Sequence, residues 1–130
     1  MKAPLPMAPG PMPAAVLLHR GAPGGDHFDV LLAVRMPTGE HDRACATWRA
    51  ESDPAGLVAG DAVVVEPIPA HRARYLSLPG PADLGAGRGT AVPVRRGSWR
   101  GTDGLRVEFL WDDGASTRIA AESPTRWRID

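Results

Sequence analysis

The chain has 130 residues, of which 43% are hydrophobic, and its 15 Lys and Arg residues balance 15 Asp and Glu residues. This length is typical of a single domain, and the balanced charge excludes a strongly basic nucleic-acid arm or an acidic tail but not a local basic groove. A single cysteine, Cys45, excludes an internal disulfide framework and a cysteine-rich zinc site. No apolar run approaches the ~20 residues needed to cross a bilayer, so we expect no membrane contact. We further expect a monomer in the bacterial cytoplasm.

Glycine and proline set the expected fold class. The 15 glycines and 14 prolines recur too often for long helices, which predicts an all-β chain. In chain order, residues 1–13 carry five prolines and predict a disordered leader. Strands are then predicted over 14–18, 27–34, 43–50, 61–68, 90–94, 105–111, 116–121 and 125–129, with a short helix over 69–76 and a turn at 96–98. About eight antiparallel strands close into a small β-barrel with one or two short helices, so residues 14–130 are expected to form one domain.

The first two predicted strands carry a possible metal site. His27 and Asp29 are two residues apart on one strand and therefore share a face, and His19 ends the preceding strand. If the two strands pair as a hairpin, His19 comes alongside His27. Two imidazoles and one carboxylate suit Mn²⁺, Zn²⁺ or Fe²⁺ with open positions for water or substrate. The alternative is that these are ordinary loop-edge histidines and that the aspartate caps a turn.

Two further residues have side chains suited to phosphate chemistry. His71 and Tyr75 are four residues apart in the predicted short helix, so their rings would lie on one face and could present a proton donor and a hydroxyl to a phosphate. The alternative is a surface helix with a half-buried tyrosine. The glycines of residues 85–89 are followed by a strand and not by a helix, which argues against a nucleotide-binding loop.

The order of motifs is more specific than any one of them. An apolar strand ends in His19, and His27-Phe28-Asp29 opens the next strand. Then follow Thr47-Trp48, the pair His71 and Tyr75, Gly87-Arg88-Gly89-Thr90 and Gly97-Ser98-Trp99. Over roughly residues 14–129 this order resembles the 3′-phosphoesterase domain of bacterial ATP-dependent DNA ligase D, and above all short stand-alone relatives of that domain.

The resemblance implies a small β-barrel that binds a divalent metal, typically manganese, and removes 3′-phosphates or 3′-ribonucleotides at DNA ends. It would make His19, His27 and Asp29 the metal ligands. His71 would contact the scissile phosphate, with Tyr75 as its neighbour. The expected partners are a DNA 3′ end or a small phosphoester, bound weakly or transiently, and a separately encoded ligase or polymerase.

The chain also departs from the family pattern. Active members carry an arginine two residues after the aspartate, where this chain has Leu31, and an acidic residue two before the third histidine, where it has Pro69. Leu31 is expected to share the face of Asp29, and an arginine placed there is expected to restore a phosphate clamp. Arg20, Arg72 or Arg88 could replace that clamp from another direction. The alternative function is therefore a non-catalytic module that binds a DNA end or a repair partner.

Overall fold

The computed structural model describes residues 3–130, which form an all-β domain with two 3₁₀ turns and no α-helix. The strands are β1 (Ala8–Arg20), β2 (His27–Ala33), β3 (Cys45–Ala50), β4 (Ala62–His71), β5 (Ala82–Asp83), β6 (Thr90–Gly101), β7 (Arg106–Trp111), β8 (Ser116–Ser123) and β9 (Arg126–Ile129). The 3₁₀ turns span Pro54–Gly56 and Ala73–Leu76. Within the described chain there is no helix of the length and apolarity that a membrane span requires.

Eight of the nine strands close into an antiparallel barrel. Their order is β1-β2-β3-β4-β9-β8-β7-β6, and β6 pairs back with β1. The short β5 adds to β6 as a ninth strand. Closure leaves few free strand edges, which would otherwise be open to pairing with another chain. The prediction of an all-β barrel of about eight strands is confirmed.

Side-chain alternation divides the apolar residues of β1, β2 and β3 between two clusters. Val16, Val30 and Trp48 are cross-strand neighbours and point into the barrel, where most of the core lies. The alternate residues point outward, and Leu17 and Leu31 form a second cluster with Cys45, Ala33, Ala91 and Leu78. β2 is therefore buried on both faces, and its outer face is covered by the chain that follows β4.

The N-terminal segment differs from the predicted disordered leader. β1 begins at Ala8, and Leu5 is buried with its amide donating to the Gly104 carbonyl at 3.0 Å. β2 pairs with β1 only from Ala14 onward, so the earlier residues of β1 have a neighbour on one side alone. Prolines lack an N–H group and are tolerated on such an edge. Residues 1 and 2 of the predicted leader lie outside the described part of the chain.

The predicted helix over 69–76 is wrong for its first half. β4 runs on to His71, which pairs with Cys45, and only Ala73–Leu76 forms a 3₁₀ turn. The amides of Ala73 and Arg74 donate to the carbonyls of Asp42 and Glu40, both at 2.8 Å. These two amides therefore donate to carbonyls of a neighbouring loop, whereas in a longer helix they would donate to carbonyls of the preceding helical turn.

The predicted turn at 96–98 is also wrong, because β6 continues without interruption to Gly101. A Cβ atom on Gly97 would lie 2.1 Å from the Leu110 carbonyl oxygen, so the strand partner approaches more closely than any side chain allows. Glycine at this position serves close strand packing and not chain reversal.

Candidate metal centre

The hairpin of β1 and β2 brings the predicted metal triad together. His19 lies directly opposite His27, and Asp29 lies opposite Leu17, so the three polar side chains share the outer face of the barrel. The two imidazole rings are 4.6 Å apart. One ligand atom from each of His19, His27 and Asp29 can be chosen so that all three atoms lie within 4.8 Å of one another. The expected convergence of these side chains is confirmed.

Backbone carbonyls orient both imidazoles. Nε2 of His19 lies 2.6 Å from the Arg88 carbonyl oxygen, and Nδ1 of His27 lies 3.3 Å from that of Gly25. A carbonyl only accepts, so these ring nitrogens donate and the other nitrogen of each neutral ring carries a lone pair. Those free nitrogens face Asp29, at 3.7 Å for His19 Nδ1 and 3.1 Å for His27 Nε2. Metal-binding histidines are held in this manner by a partner on the far nitrogen.

Asp29 is the centre of the cluster and carries an unsatisfied oxygen. Its residue is only 4% exposed, and Oδ1 is buried without a hydrogen-bond partner in the described structure. The 3.1 Å approach of His27 Nε2 is close, but its geometry is not that of a hydrogen bond. Buried carboxylates are normally paired or bound to a metal. Two imidazole nitrogens and a carboxylate oxygen without a donor therefore fit a divalent cation.

His71 approaches the same carboxylate from β4. Its Nδ1 donates to the Pro69 carbonyl oxygen at 3.0 Å, and its Nε2 lies 3.8 Å from Asp29 Oδ2. Tyr75 follows on the second 3₁₀ turn, with its ring 5.9 Å from that of His71. The two residues are thus neighbours facing the triad, although His71 ends a strand and does not share a helix with Tyr75.

A cavity of about 280 Å³ opens beside the triad. It is lined by His19, Asp29, His71 and Tyr75, together with three arginines and three apolar residues: Arg43, Arg72, Arg88, Leu17, Leu84, Ala91. A larger cavity of about 730 Å³ lies elsewhere and touches none of the triad. We assign the chemistry to the smaller cavity because only it contains the converging polar groups.

The arginines predicted to contact phosphate fall into two groups. Arg72 and Arg88 line the cavity beside the triad, whereas Arg20 is exposed at the end of β1 and does not line it. Arg43, which the sequence analysis did not single out, lines it as well. Arg43 stands two residues before β3, and the pairing of β3 with the end of β4 brings it beside His71. This long-range pairing leaves no local sequence signal.

Charge is distributed unevenly among the 14 arginines. Seven form ion pairs with carboxylates, and these lie mainly on the strands away from the cavity: Arg35, Arg95, Arg100, Arg106, Arg118, Arg126, Arg128. The other seven have no carboxylate within 4.0 Å among the described residues, and they include all three arginines of the cavity. A chain of zero net charge therefore presents uncompensated positive charge beside the candidate metal site.

The glycine-rich loop of residues 85–89 shapes one wall of this site. Gly89 has a φ of +91°, and a Cβ atom there would lie 2.1 Å from the Arg20 carbonyl oxygen. Glycine permits both the backbone conformation and the close approach. The loop can then pack against the end of β1, which places the Arg88 carbonyl within reach of His19.

Leu31 lies on the face of Asp29, as expected, but it does not line the cavity. It is 0% exposed and belongs to the outer apolar cluster with Leu17 and Leu78. An arginine at this position would place its charge among apolar side chains. The expectation that such an exchange simply restores a clamp therefore conflicts with the packing.

No family model, curated protein or solved structure matches this chain.

An ion pair outside the cavity braces the segment that carries His71 and Tyr75. Arg35 donates to both carboxylate oxygens of Asp42, and the Thr38 amide donates to the same carboxylate at 3.0 Å. These hydrogen bonds, with that from Arg35 the largest influence, lower the pKa of Asp42 well below its ordinary value. The Asp42 carbonyl in turn accepts from the first residue of the second 3₁₀ turn.

Proposed function

We propose that this chain is a metal-dependent phosphoesterase that acts on nucleic-acid 3′ ends and removes a terminal phosphate or ribonucleotide. The proposed metal is Mn²⁺, with Zn²⁺ or Fe²⁺ as alternatives that suit the same donors. A divalent ion there would supply Lewis-acid activation of a phosphoryl group. A DNA 3′ end or small phosphoester, and a separately encoded ligase or polymerase, are the proposed partners.

One observation carries the proposal. A buried carboxylate oxygen without a donor faces imidazole nitrogens whose far sides are fixed by backbone carbonyls. Without a cation this arrangement costs stability, since a buried acceptor is left unpaired. Next to it, arginines without carboxylate partners line a cavity wide enough for a phosphate group.

The remaining residues have separate proposed roles. His19, His27 and Asp29 hold the metal. His71 contacts the scissile phosphate, because its Nε2 faces the cavity beside Asp29. Tyr75 packs next to His71 and supplies a hydroxyl to the same cavity.

A second candidate function is a non-catalytic module that binds a DNA end or a repair partner. It is favoured by Leu31, which is apolar and buried where the resembling family has a guanidinium beside its aspartate. Such a module would keep the metal and the barrel but would not turn over a phosphoester.

The test is a metal titration followed by phosphate release. Mn²⁺ binding is measured by calorimetry for the wild type and for His27→Ala, and release of phosphate is then measured from a DNA strand with a 3′-phosphate. Mn²⁺ binding that requires His27, with release that requires Mn²⁺, supports the phosphoesterase. Metal and DNA binding without release would establish the binding module instead. Absence of Mn²⁺ binding in the wild type would refute a Mn²⁺ centre.

A further inference from the structure

Arg43 is the one arginine of the cavity that was not predicted from the sequence as a site residue. We propose that Arg43 is the principal anion-binding arginine of this site and that, with Arg72, it grips the phosphate of a phosphomonoester beside His71. The inference rests on the proposed function and names a residue that binds its substrate. Arg43 lines the cavity, whereas Leu31 does not.

The hydrogen bonds of the other arginines leave few candidates. Arg20 lies outside the cavity. Arg88 is engaged by its own loop, with Nε donating to the Gly85 carbonyl at 3.4 Å and Nη2 donating to that of Leu84. Its side chain thus has a structural function in the loop that orients His19. An arginine whose donors are already in use has fewer left for a ligand.

Arg43 is exposed, with one hydrogen bond that tethers its guanidinium and with other donors left free. Its Nη1 donates to the Ala70 carbonyl oxygen at 3.2 Å, which ties the guanidinium to the residue before His71. Nε and Nη2 have no hydrogen-bond partner among residues 3–130, and no carboxylate there lies within 4.0 Å of the side chain. A guanidinium offers a planar fork that matches two phosphate oxygens. Partial tethering reduces the conformational entropy that binding would otherwise cost.

Arg72 completes the pair on the other side of His71. It adjoins His71 in sequence, lines the cavity and is half-buried, and its side chain makes no hydrogen bond in the described structure. Among the described residues, Asp29 is the only carboxylate that lines the cavity, and the proposed metal would offset its charge. A dianionic phosphate could therefore contact Arg43, Arg72 and His71 without competition from another carboxylate for these side chains.

The experiment measures binding of thymidine 3′-monophosphate to the protein in the presence of Mn²⁺, and separately binding of Mn²⁺ alone. The variants are Arg43→Ala, Arg43→Lys and the control Arg96→Ala. Arg96 is exposed, has no carboxylate partner among the described residues and does not line the cavity, so the control removes the same charge. Circular dichroism checks the fold of each variant.

Loss of Arg43 is expected to weaken nucleotide binding about 10- to 100-fold, because it removes charge-assisted hydrogen bonds. Arg43→Lys should recover only part of the lost nucleotide affinity. The affinity of the control Arg96→Ala should stay within about twofold of the wild-type value, because the charge that it removes lies outside the site. Mn²⁺ affinity should be unchanged in all three. Equal nucleotide affinity in Arg43→Ala and the wild type overturns the role of Arg43 and leaves the phosphoesterase proposal intact. Wild-type protein that binds Mn²⁺ but not the nucleotide overturns both.

Discussion

Replacing Asp29 with asparagine tests whether the site is built for a cation. The two side chains have nearly the same shape, but the amide can donate hydrogen bonds where the carboxylate only accepts. In the wild type, Oδ1 of Asp29 is buried without a donor and lies 3.1 Å from His27 Nε2. An Asn side chain places an N–H donor there, and a small rotation of the amide would let it donate to the lone pair of this imidazole nitrogen. We therefore expect Asp29→Asn to be more stable than the wild type when no metal is present.

The size of the effect follows from the unpaired oxygen. A buried acceptor without a partner costs about 1–3 kcal/mol, and the substitution should recover an amount of this order. For a chain of 130 residues, 1 kcal/mol corresponds to about 3.7 °C in Tm. Asp29→Asn should therefore raise the metal-free Tm by about 4–11 °C. Mn²⁺ at 100 times its Kd would stabilise the wild type by about 2.7 kcal/mol, or about 10 °C, and the variant much less.

Thermal unfolding is followed by circular dichroism with a chelator and then with added Mn²⁺. Asp112→Asn is the matched control, since it makes the same change at an exposed residue and should alter stability by less than about 0.5 kcal/mol. A metal-free Asp29→Asn variant that is no more stable than the wild type would refute a site built for a cation. Equal stabilisation of both proteins by Mn²⁺ would refute it as well.

His19→Ala should lower Mn²⁺ affinity at least about 100-fold in calorimetry while Tm changes little, because His19 lies outside the barrel core. Leu31→Arg should lower the free energy of unfolding in urea by at least about 3 kcal/mol, since an unpaired charge would enter a fully buried position, whereas Leu31→Met should cost under about 1.5 kcal/mol. The pKa of Asp42 is lowered in the folded state, so its stabilising contribution should be present at pH 7 and decline as pH falls below about 4, a decline that Asp42→Asn should reduce in acid titrations. Burial raises the pKa of Cys45 to about 11, so iodoacetamide should label this thiol at pH 8 only after unfolding.

Local patterns in the sequence were sufficient for the barrel and for the triad. Alternation along β2 placed His27 and Asp29 on one face, and a seven-residue loop between the first two strands predicted a hairpin that brings in His19. Both are short-range relations, because side chains two apart on a strand share a face and neighbouring strands joined by a short loop usually pair. The same alternation predicted that Leu31 would lie beside Asp29.

Long-range pairing determined what the local patterns missed. The leader is a strand from Ala8 because β6, some 90 residues later, supplies its partner. Arg43 enters the cavity because β3 and β4 pair so that Cys45 meets His71. Neither contact has a periodic or compositional signal, since both depend on where distant strands come together. Gly97 was misjudged for the same reason, because the close approach of β7 is not visible in its immediate sequence.

Leu31 has a structural role beside the candidate site that does not involve phosphate. Its side chain belongs to the cluster that includes Leu78 and onto which Tyr75 packs, so it helps to hold the segment that forms the cavity wall. An arginine there would have to open this cluster to reach solvent, because the position is fully buried. An apolar residue at position 31 and an arginine at position 43 are therefore compatible parts of one arrangement. If Arg43 binds the phosphate, the phosphoesterase proposal does not require an arginine at position 31.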